Sequence, residues 1–545
     1  MSDVGDSGLL RNSALMAAGT ATSRITGVVR DMAMTAALGF FIVSDAFSLG
    51  NTLPNIIYIL VAGGTLNAVF IPQLVRHMKD DSDAGQAFAD RLLSIVGVLL
   101  LALSVISVIA APYIVSLFAS SRMPQAEFDL AVAFARLCLP QMFFYGAYTM
   151  LQQVLNARGK FAAAFFAPVA NNLVAIFVFV AFLVVVQPNA ENLSNLSAGQ
   201  VWWLGLGSTL GVALQAAILF PALIRTGYRF KFRTDWRDAG LGHSARLAKW
   251  TIYLVLVNQI AFAIISRFAT QANAASAAAG DVAIGLTSYQ KANLIFILPH
   301  SVITISLITA LLPQLSRLSH ENNLVELGRQ VSRSARLVLA LMIPIAGLLA
   351  VTGPNIAVLF FGNGVAGADA ANAVGVIVSL FAFGLPAYSL IYILNRAWFA
   401  MEDTRTPFWI AVGINIVMLI VAVPLFGVAA LNQKVAMFGI GYSVAYVAMA
   451  VFAWWHLNRQ LGTLETQTTL QVTMKLFISA AVGTITTSVA LSLVPTNLSQ
   501  LANFATIAGL WIFGLGMFVA IASLLRIDEV ATGIRLISAR IRRSS

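Results

Sequence analysis

Residues 161–187 read FAAAFFAPVANNLVAIFVFVAFLVVVQ and contain no charged side chain. A helix needs about 20 such residues to cross a hydrocarbon core of roughly 30 Å, whereas a strand of a membrane barrel needs only about 9–11. Only helices and closed barrels satisfy the backbone hydrogen bonds in lipid. The length of this run therefore predicts a transmembrane helix.

Thirteen further runs of this kind occur in the chain. We number the predicted spans 1 to 14 and place them at residues 12–39, 46–76, 92–117, 128–156, 161–187, 200–225, 247–272, 284–315, 335–357, 372–399, 407–427, 435–457, 471–494 and 503–525. The sequence thus predicts an all-α polytopic membrane protein with about 14 transmembrane helices.

The composition agrees with this class. Of the 545 residues, 59% are hydrophobic and 10% are charged, against about a quarter charged in soluble domains. The net charge of +11 does not indicate a nucleic-acid partner, because the basic residues lie in the connections between spans. The single cysteine, Cys138, excludes a disulfide framework. The polar, acidic start of the chain does not resemble a cleavable signal peptide.

The basic residues also predict the orientation. With the N-terminus in the cytoplasm, the inside connections hold 25 of the 33 lysines and arginines, and the outside connections hold only Arg122 and Lys434. Because cytoplasmic connections are enriched in basic residues, we expect both termini on the cytoplasmic side.

The chain repeats itself at an offset of 241 to 246 residues. The matching elements are Leu53-Pro54 with Leu298-Pro299, Pro72 with Pro313, Ser23-Arg24 with Ser266-Arg267, Leu139-Pro140 with Leu385-Pro386, and Asn171 with Asn415. An offset of six spans predicts two parallel-repeat six-helix lobes with substrate bound between them. The expected division is residues 1–227, residues 228–460, and residues 461–545 with two extra helices and a basic tail. Alternatively, the Leu-Pro pairs only mark kinks.

One face of span 1 is charged. At 100° per residue, Arg24, Gly27, Arg30 and Asp31 fall within an arc of about 120°. Charge at this depth costs at least about 2.5–3.5 kcal/mol per residue, so the face is expected to line a wet cavity. The alternative is an internal ion pair of Arg24 with Asp31 that braces the bundle.

Other polar residues within the spans are further candidates. Asn55 and Tyr58 follow Asn51 at helical spacing in span 2, where interhelical hydrogen bonding competes with substrate contact. Arg267 in span 7 either faces the same cavity as Arg24 or extends to the outer membrane surface. Lys291 in span 8 precedes the proline break and is expected to face the cavity.

An excess of cations in a cavity predicts an anionic ligand, and guanidinium groups suit phosphate oxygens through bidentate hydrogen bonds. An exporter of cationic drugs would instead need carboxylates there. The sequence contains no nucleotide-binding loop, no paired acidic motif and only scattered histidines. We therefore expect no catalytic residues, no cofactor and no metal.

Several motifs resemble the MurJ/MviN lipid II flippases. They are the charged residues of span 1, Asp45-Ala46-Phe47, Leu53-Pro54-Asn55, Phe70-Ile71-Pro72, and the turn at residues 398–407, which reads WFAMEDTRTP. The similarity covers nearly the whole chain. It departs from the family at Tyr58 and at Leu294, where members have arginines; Lys291, one turn from Leu294, is the candidate replacement.

The resemblance implies a fold of the multidrug/oligosaccharidyl-lipid/polysaccharide exporter superfamily, with spans 13 and 14 forming a groove for a polyprenyl tail. It implies lipid II as substrate, flipped across a bacterial cytoplasmic membrane by alternating access. It also adds Asp45 to the substrate-binding candidates Arg24, Arg30 and Asp31. Besides lipid II and membrane lipids, proteins of cell-wall synthesis or division are expected partners.

Four other functions stay open. The first is a flippase for another polyprenyl-linked polysaccharide unit, and the second is a cation-coupled drug exporter of the same superfamily. A membrane-bound glycan-lipid transferase would need an acidic metal-binding loop outside the bilayer, and the loop with Glu191 is too plain for that. A scaffold that transports nothing would not need a charged cavity.

The predicted orientation can be tested by cysteine labelling. Single cysteines at Asn192 and Ser499 should react with a membrane-impermeant reagent added to intact cells, because both connections are predicted to lie outside. A cysteine at Gly159 should react only after the cells are opened. Labelling of Gly159 in intact cells would invert the topology.

Overall fold

The computed structural model describes residues 3–63, 85–235, 241–495 and 498–532. The predicted motif at residues 70–74, Gly64, the second half of span 2, and most of the arginines of the tail lie outside the described residues. The described residues form two compact units.

The first unit comprises residues 1–279, 285–287 and 364–366. Its helices are α1 (Asp3–Leu38), α2 (Ile42–Tyr58), α3 (Gln86–Ile109), α4 (Ala111–Phe118), α5 (Gln125–Cys138), α6 (Gln141–Ala157), α7 (Ala162–Val186), α8 (Ala190–Ser194), α9 (Ala198–Ala217), α10 (Leu219–Ile224) and α11 (Leu241–Ala279). Helix α1 packs against α7, α2 against α5, and α3 against α6.

The second unit comprises residues 280–284, 288–363 and 367–545. Its helices are α12 (Leu286–Pro299, whose first two residues belong to the first unit), α13 (Ile305–His320), α14 (Leu324–Phe361), α15 (Gly367–Ala382), α16 (Leu385–Ala400), α17 (Arg405–Val428), α18 (Ala436–Leu461), α19 (Thr466–Ser492) and α20 (Gln500–Leu524). The long helix α14 packs against α15, α16, α19 and α20. The predicted division at residues 227 and 460 stays a prediction.

Among the described residues, twelve helical segments are long and apolar enough to cross a membrane. They coincide with predicted spans 3 to 14, and the described residues contain no strand. The prediction of an all-α polytopic membrane protein is therefore confirmed. Span 1 corresponds to α1 and the described half of span 2 to α2; the count of fourteen stays a prediction.

Short polar motifs begin the helices that follow the apolar run of α7. Asn189 accepts a hydrogen bond from the backbone N–H of Asn192, whose own side chain accepts from the Asn189 N–H; Ser197 and Gln200 form the same arrangement at α9. These reciprocal caps satisfy backbone groups that the first turn of a helix leaves unpaired.

A local feature of the backbone recurs at the repeat offset. A π-helical segment, Ile59–Gly63, follows α2, and a second one, His300–Thr304, follows α12. Their first residues are 241 positions apart, within the offsets of the sequence repeat. Because π segments are rare and are often found at functional sites, this correspondence supports the predicted repeat.

Close approach of helices in the first unit depends on a small residue. A Cβ atom on Gly50 of α2 would lie 2.8 Å from both the Ala135 backbone nitrogen and the Phe134 Cβ atom of α5. The Phe47 ring, one turn earlier, meets the Phe134 ring edge-to-face at 5.3 Å. Glycine at position 50 therefore brings α2, which carries the site residues below, against α5.

A charge cluster fastens α19 and the segment after α20 to α14 in the second unit. The Arg336 side chain, 8% exposed, donates to Glu465 at 2.7 Å and to Glu529 at 2.8 Å. Leu339 and Ile343 continue this contact as a hydrophobic core with Leu476 and Phe518. The predicted spans 13 and 14 thus share one core with α14.

Replacing Arg336 should weaken this attachment. Removal of one partner from a buried charge pair costs about 3–5 kcal/mol because the other charge stays buried. Both glutamates are partly exposed, so we expect Arg336→Met to lower stability by about 3 kcal/mol, measured as a fall in Tm in detergent. The matched control is Arg329→Met on the same helix, where the ion pair with Glu326 spans 3.8 Å and is exposed. Equal Tm values for the two variants would contradict the prediction.

Candidate functional site

The polar face of α1 is centred on Arg30. Its guanidinium donates to the Asp31 carboxylate at 3.1 Å and to the Asn172 side-chain oxygen at 3.2 Å. Asn172 lies on α7, the helix that packs along α1. The arginine is thus held between a charge of its own helix and an amide of the neighbouring one.

Asn172 also fixes the position of α1. Its amide nitrogen donates to the Ser23 carbonyl oxygen at 2.9 Å and to the Thr26 hydroxyl at 3.0 Å. A Cβ atom on Gly27 would lie 3.7 Å from the same nitrogen, an ordinary contact distance. Each polar atom of the Asn172 side chain has therefore found a partner on α1.

The alternative of an Arg24–Asp31 brace is wrong, because Asp31 pairs with Arg30. Arg24 is half-buried and has no ion pair or side-chain hydrogen bond within the described ranges. A separation of six residues places Arg24 about 9 Å from Arg30 along the axis. The polar face formed by Arg24, Gly27, Arg30 and Asp31 thus carries two cations for one carboxylate.

Arg30 retains hydrogen-bonding capacity. A guanidinium has five N–H donors, of which its contacts with the described residues use two. The Arg30 side chain is 36% exposed, whereas that of Asp31 is 14% exposed. Since the free donors belong to a fixed, partly accessible guanidinium, the site suits an anion with several oxygens, such as a phosphate.

The polar residues Asn51, Asn55 and Tyr58 of α2 differ in their contacts. The Asn51 side chain accepts a hydrogen bond from Gln141 at 3.0 Å, and the Tyr58 hydroxyl donates to Thr149 at 2.8 Å. Both contacts join α2 to α6, which is the interhelical bonding considered as the alternative to substrate contact. Asn55, between them, is exposed. Substrate contact by Asn55 and Tyr58 stays a prediction.

Arg267 is engaged at one end of α11. Its guanidinium donates to the Ser116 carbonyl oxygen of α4 at 2.8 Å. One turn later, the Thr270 hydroxyl accepts a hydrogen bond from the Ser120 N–H at 3.0 Å. These contacts tie α11 to the end of α4, and a role of Arg267 in substrate binding stays a prediction.

Asp45 lies at the start of α2 and is 1% exposed. Its carboxylate accepts hydrogen bonds from the backbone N–H groups of Leu286 at 2.8 Å and Thr287 at 2.7 Å, and from the Asn273 side chain at 2.7 Å. A negative charge at the first turn of a helix is stabilised by the unpaired N–H groups and the helix dipole. Asp45 therefore caps α12 from another part of the chain, and in this conformation it is closed to a substrate.

The residues around this cap leave no free volume. A Cβ atom on Gly285 would lie 1.9 Å from the Asp45 carboxylate, so only glycine fits at this position. The hydroxyls of Ser44 and Ser48 both lie 2.9 Å from the Thr287 hydroxyl. The start of α2 and residues 285–287 are thus held together by hydrogen bonds and close packing.

Lys291 is buried in the second unit, with 4% exposure on α12. Nine residues further on, the His300 ring lies 2.9 Å from the Ser389 hydroxyl and 4.5 Å from the Tyr388 ring centre. Arg396 donates to the Tyr392 hydroxyl at 2.5 Å. His300 of the π segment and Arg396 of α16 therefore lie in polar and aromatic surroundings. Contact of Lys291 with substrate stays a prediction.

Sequence reasoning missed Asn172, Asn273 and Thr287. The repeat directed attention to Asn171, while Asn172, which matches Asn415 at an offset of 243 residues, makes the contacts with α1. Two consecutive amides in an otherwise apolar run were the available signal. Within the described part of the chain, no group of three or more metal-binding side chains is assembled.

The fold matches known transporters. A structure described as lipid II flippase MurJ in an inward closed conformation superposes with a TM-score of 0.72 at 17% identity, covering 94% of this chain and 99% of that one. An inward-facing multidrug transporter of the MATE family and the MOP superfamily gives a TM-score of 0.60 at 16% identity, over 81% of this chain and 96% of that one. The chain thus has the polytopic helical fold of these membrane proteins.

The family model described as lipid II flippase MurJ matches residues 34–509. The chain therefore belongs to the MurJ family of lipid II flippases. A probable lipid II flippase MurJ of Rhizobium meliloti is 28% identical over 94% of this chain and 93% of its own length. The lipid II flippase MurJ of Burkholderia cenocepacia is 26% identical over 77% of this chain and 79% of its own length.

Family membership confirms the resemblance seen in the sequence. A flippase is a transporter, so the expectation that the chain is not an enzyme is confirmed as well. Membership of this family, together with the apolar helices, identifies a multi-pass protein of the bacterial cytoplasmic membrane.

Substitution of Asp45 should loosen the start of α12. In Asp45→Asn, an amide group would face N–H donors in place of a carboxylate oxygen, and a hydrogen bond to a charged group contributes about 1.5–3 kcal/mol. We expect a lower Tm and faster exchange of the Leu286 and Thr287 amides with deuterium. Asp129→Asn serves as control, because Asp129 is exposed and bonds only to Gln125 of its own helix among the described residues. Unchanged exchange at the start of α12 would refute the capping role.

Proposed function

We propose that this protein flips lipid II, the polyprenyl-pyrophosphate-linked precursor of peptidoglycan, from the cytoplasmic to the outer leaflet by alternating access. The observation that carries the proposal is the match of the family model over residues 34–509. The charge of the site supports it independently, because the first unit offers guanidinium donors to an anion at membrane depth.

Arg30 is proposed as the main head-group contact in the first unit. Its unused donors can take two oxygens of a pyrophosphate in the bidentate geometry that a guanidinium favours. Asn172 and Asp31 hold the group in position, so little side-chain entropy is lost when the ligand binds. Arg24, about 9 Å along the helix, would contact a second part of the same head group.

For the polyprenyl tail we propose a groove along α19 in the second unit. It encloses about 980 Å³ including its open side, and its walls come from α14, α16, α18 and α19. Phe383, Val451 and Phe477 line this groove and are more than half exposed. The tail groove implied by the resemblance would thus involve α16 and α18 as well as span 13.

We further propose that the Asp45 cap acts as a latch in the transport cycle. Alternating access requires contacts that form in one conformation and break in another. The cap joins α2 to the first turn of α12 through charge-assisted hydrogen bonds that water or a substrate oxygen can replace. Contact of Asp45 with substrate would then follow its release from α12.

The orientation with both termini in the cytoplasm is part of the proposal and rests on the distribution of basic residues. Association with proteins of cell-wall synthesis or division stays a prediction. The substrate of a flippase for another polyprenyl-linked saccharide has the same anionic linkage. Only the sugar of the head group distinguishes that substrate from lipid II. A drug exporter is disfavoured because the polar face of α1 holds Arg24 and Arg30 against the single carboxylate of Asp31.

Arg30 variants test the head-group contact. Arg30→Ala removes donors to a charged group, each worth about 1.5–3 kcal/mol, so lipid II binding to purified protein should weaken roughly ten- to a hundredfold. Arg30→Lys keeps the charge, loses the bidentate geometry and should fall between Ala and the parent. Both variants should complement a depleted host poorly while reaching normal membrane levels.

The matched control is Arg122→Ala, which removes an exposed arginine from a connection between helices. It should bind lipid II and complement as the parent does. Parental binding by Arg30→Ala together with full growth would reduce Arg30 to a brace for α1 and α7. Parental binding without growth would instead place Arg30 in a later step of transport.

A further inference from the structure

Residues 228–233 read YRFKFR and lie in a segment without helix or strand after α10. Aromatic and basic residues alternate along it. Tyr228 is buried, and Phe230 and Phe232, although partly exposed, line a pocket. The basic residues Arg229 and Lys231 are exposed and do not line that pocket. The segment therefore joins pocket-lining aromatic side chains to exposed cations.

This segment is fixed along the first turns of α3. The Gln86 side chain donates to the Arg229 carbonyl oxygen at 3.0 Å, and the Arg233 N–H donates to the Ser94 hydroxyl at 2.9 Å. The Tyr228 hydroxyl, whose pKa is raised by burial, donates to the Asp90 carboxylate. Since these contacts fix two backbone positions and one side chain of the segment, the alternating pattern is a built feature of the first unit.

The pocket lined by Phe230 and Phe232 is an apolar slot. It encloses about 850 Å³ including its open side and lies between α3, α6, Phe220 and the phenylalanines of the segment. Val98 and Leu101 on its rim are 38% and 53% exposed on a membrane-spanning helix, so the slot opens towards the bilayer.

The cations on and around this segment are only partly neutralised. Asp235 pairs with Arg91 at 2.7 Å and with Arg233 at 3.6 Å, and the hydrogen bond from Arg91 lowers the pKa of Asp235. Arg229 and Lys231 form no side-chain hydrogen bond or ion pair with any residue that the structure describes. A net positive charge thus borders an apolar slot where the chain leaves the membrane.

We propose that this slot binds an anionic phospholipid of the bilayer, separate from the transported lipid. One acyl chain would occupy the space between α3 and α6, and the head-group phosphate would contact Arg229 and Lys231. Basic residues beside a membrane helix attract anionic lipids by about 1 kcal/mol each. A free phosphate would use the cations and leave the slot empty, so the continuity of the two favours a lipid. The bound lipid would hold the connection between α10 and α11 against the bilayer surface.

Two kinds of variant separate the parts of the site. A Cβ atom on Gly97, which lines the slot, meets no atom within 4 Å, so Gly97→Leu fills the slot without a backbone clash. Lys231→Gln removes one charge and leaves the slot intact. Their controls are Gly509→Leu, at an exposed glycine of α20 that also has open space around it, and Lys160→Gln, at another exposed lysine next to α6.

The measurement is native mass spectrometry of protein from nanodiscs that contain phosphatidylglycerol and phosphatidylcholine with identical acyl chains. The parent and both controls should retain one phosphatidylglycerol in preference to phosphatidylcholine. Lys231→Gln should weaken that retention about fivefold, as expected for one surface charge, and Gly97→Leu should abolish it. Lipid II binding should be unchanged in both, which keeps this result distinct from a failure of the proposed function.

Three other outcomes of this experiment would contradict the proposed lipid site. Equal retention of the two lipids would mean that the charges do not select the occupant. Loss in Lys231→Gln with full retention in Gly97→Leu would indicate a basic surface without an acyl-chain slot. Displacement of the retained lipid by an equimolar amount of lipid II would assign the slot to the transported lipid.

Discussion

The cost of placing charge in hydrocarbon governs this structure. An ionised side chain at the centre of a bilayer is tolerated only with partners or with water, and three of the described arginines in the helices find partners in different ways. Arg336 is neutralised by two glutamates, Arg267 donates to a carbonyl oxygen, and Arg30 is shared between Asp31 and Asn172. Only where donors outnumber the acceptors around them does a binding site for an anion arise. The α1 face meets that condition, whereas the Arg336 cluster does not.

Much of the fold was predictable because the bilayer acts on local composition. Predicted spans 3 to 14 coincide with the apolar helices, since each run is long enough by itself to satisfy the hydrocarbon core. Helix α1, predicted as span 1, is not among the twelve apolar segments, and its charged residues lower its hydropathy. The π segment after α12 could not be read from residues 300–304 alone. Its relation to the repeat is seen in the structure, where a second π segment lies at the repeat offset.

The candidate site was predictable in its residue types and unpredictable in its partners. Two arginines and a carboxylate on one helical face indicate a site from sequence, because their cost demands a reason. Their partners depend on packing between distant segments: Asn172 lies 142 residues from Arg30, and Thr287 lies 242 residues from Asp45. The same limit explains why Arg24 and Asp31, two turns apart and equally suited to a pair, do not form one. Asp31 reaches the nearer guanidinium, which α7 already holds in place.

The pairing of Arg30 with Asp31 also bears on how a flippase releases its substrate. A bare guanidinium in a low-dielectric cavity would bind pyrophosphate too tightly for turnover, since two unit charges 4 Å apart attract by about 4 kcal/mol even at an effective dielectric of 20. On the proposed contact of Arg30 with pyrophosphate, and with Asp31 at 3.1 Å, an incoming phosphate would repel the carboxylate while it took up the free donors. Binding would exchange part of the Arg30–Asp31 ion pair for a pair with phosphate, and it would gain less energy than a contact with an unpaired arginine. A carboxylate one residue from the proposed head-group contact would thus moderate affinity, as transport requires of a site that must be entered from one side and left on the other.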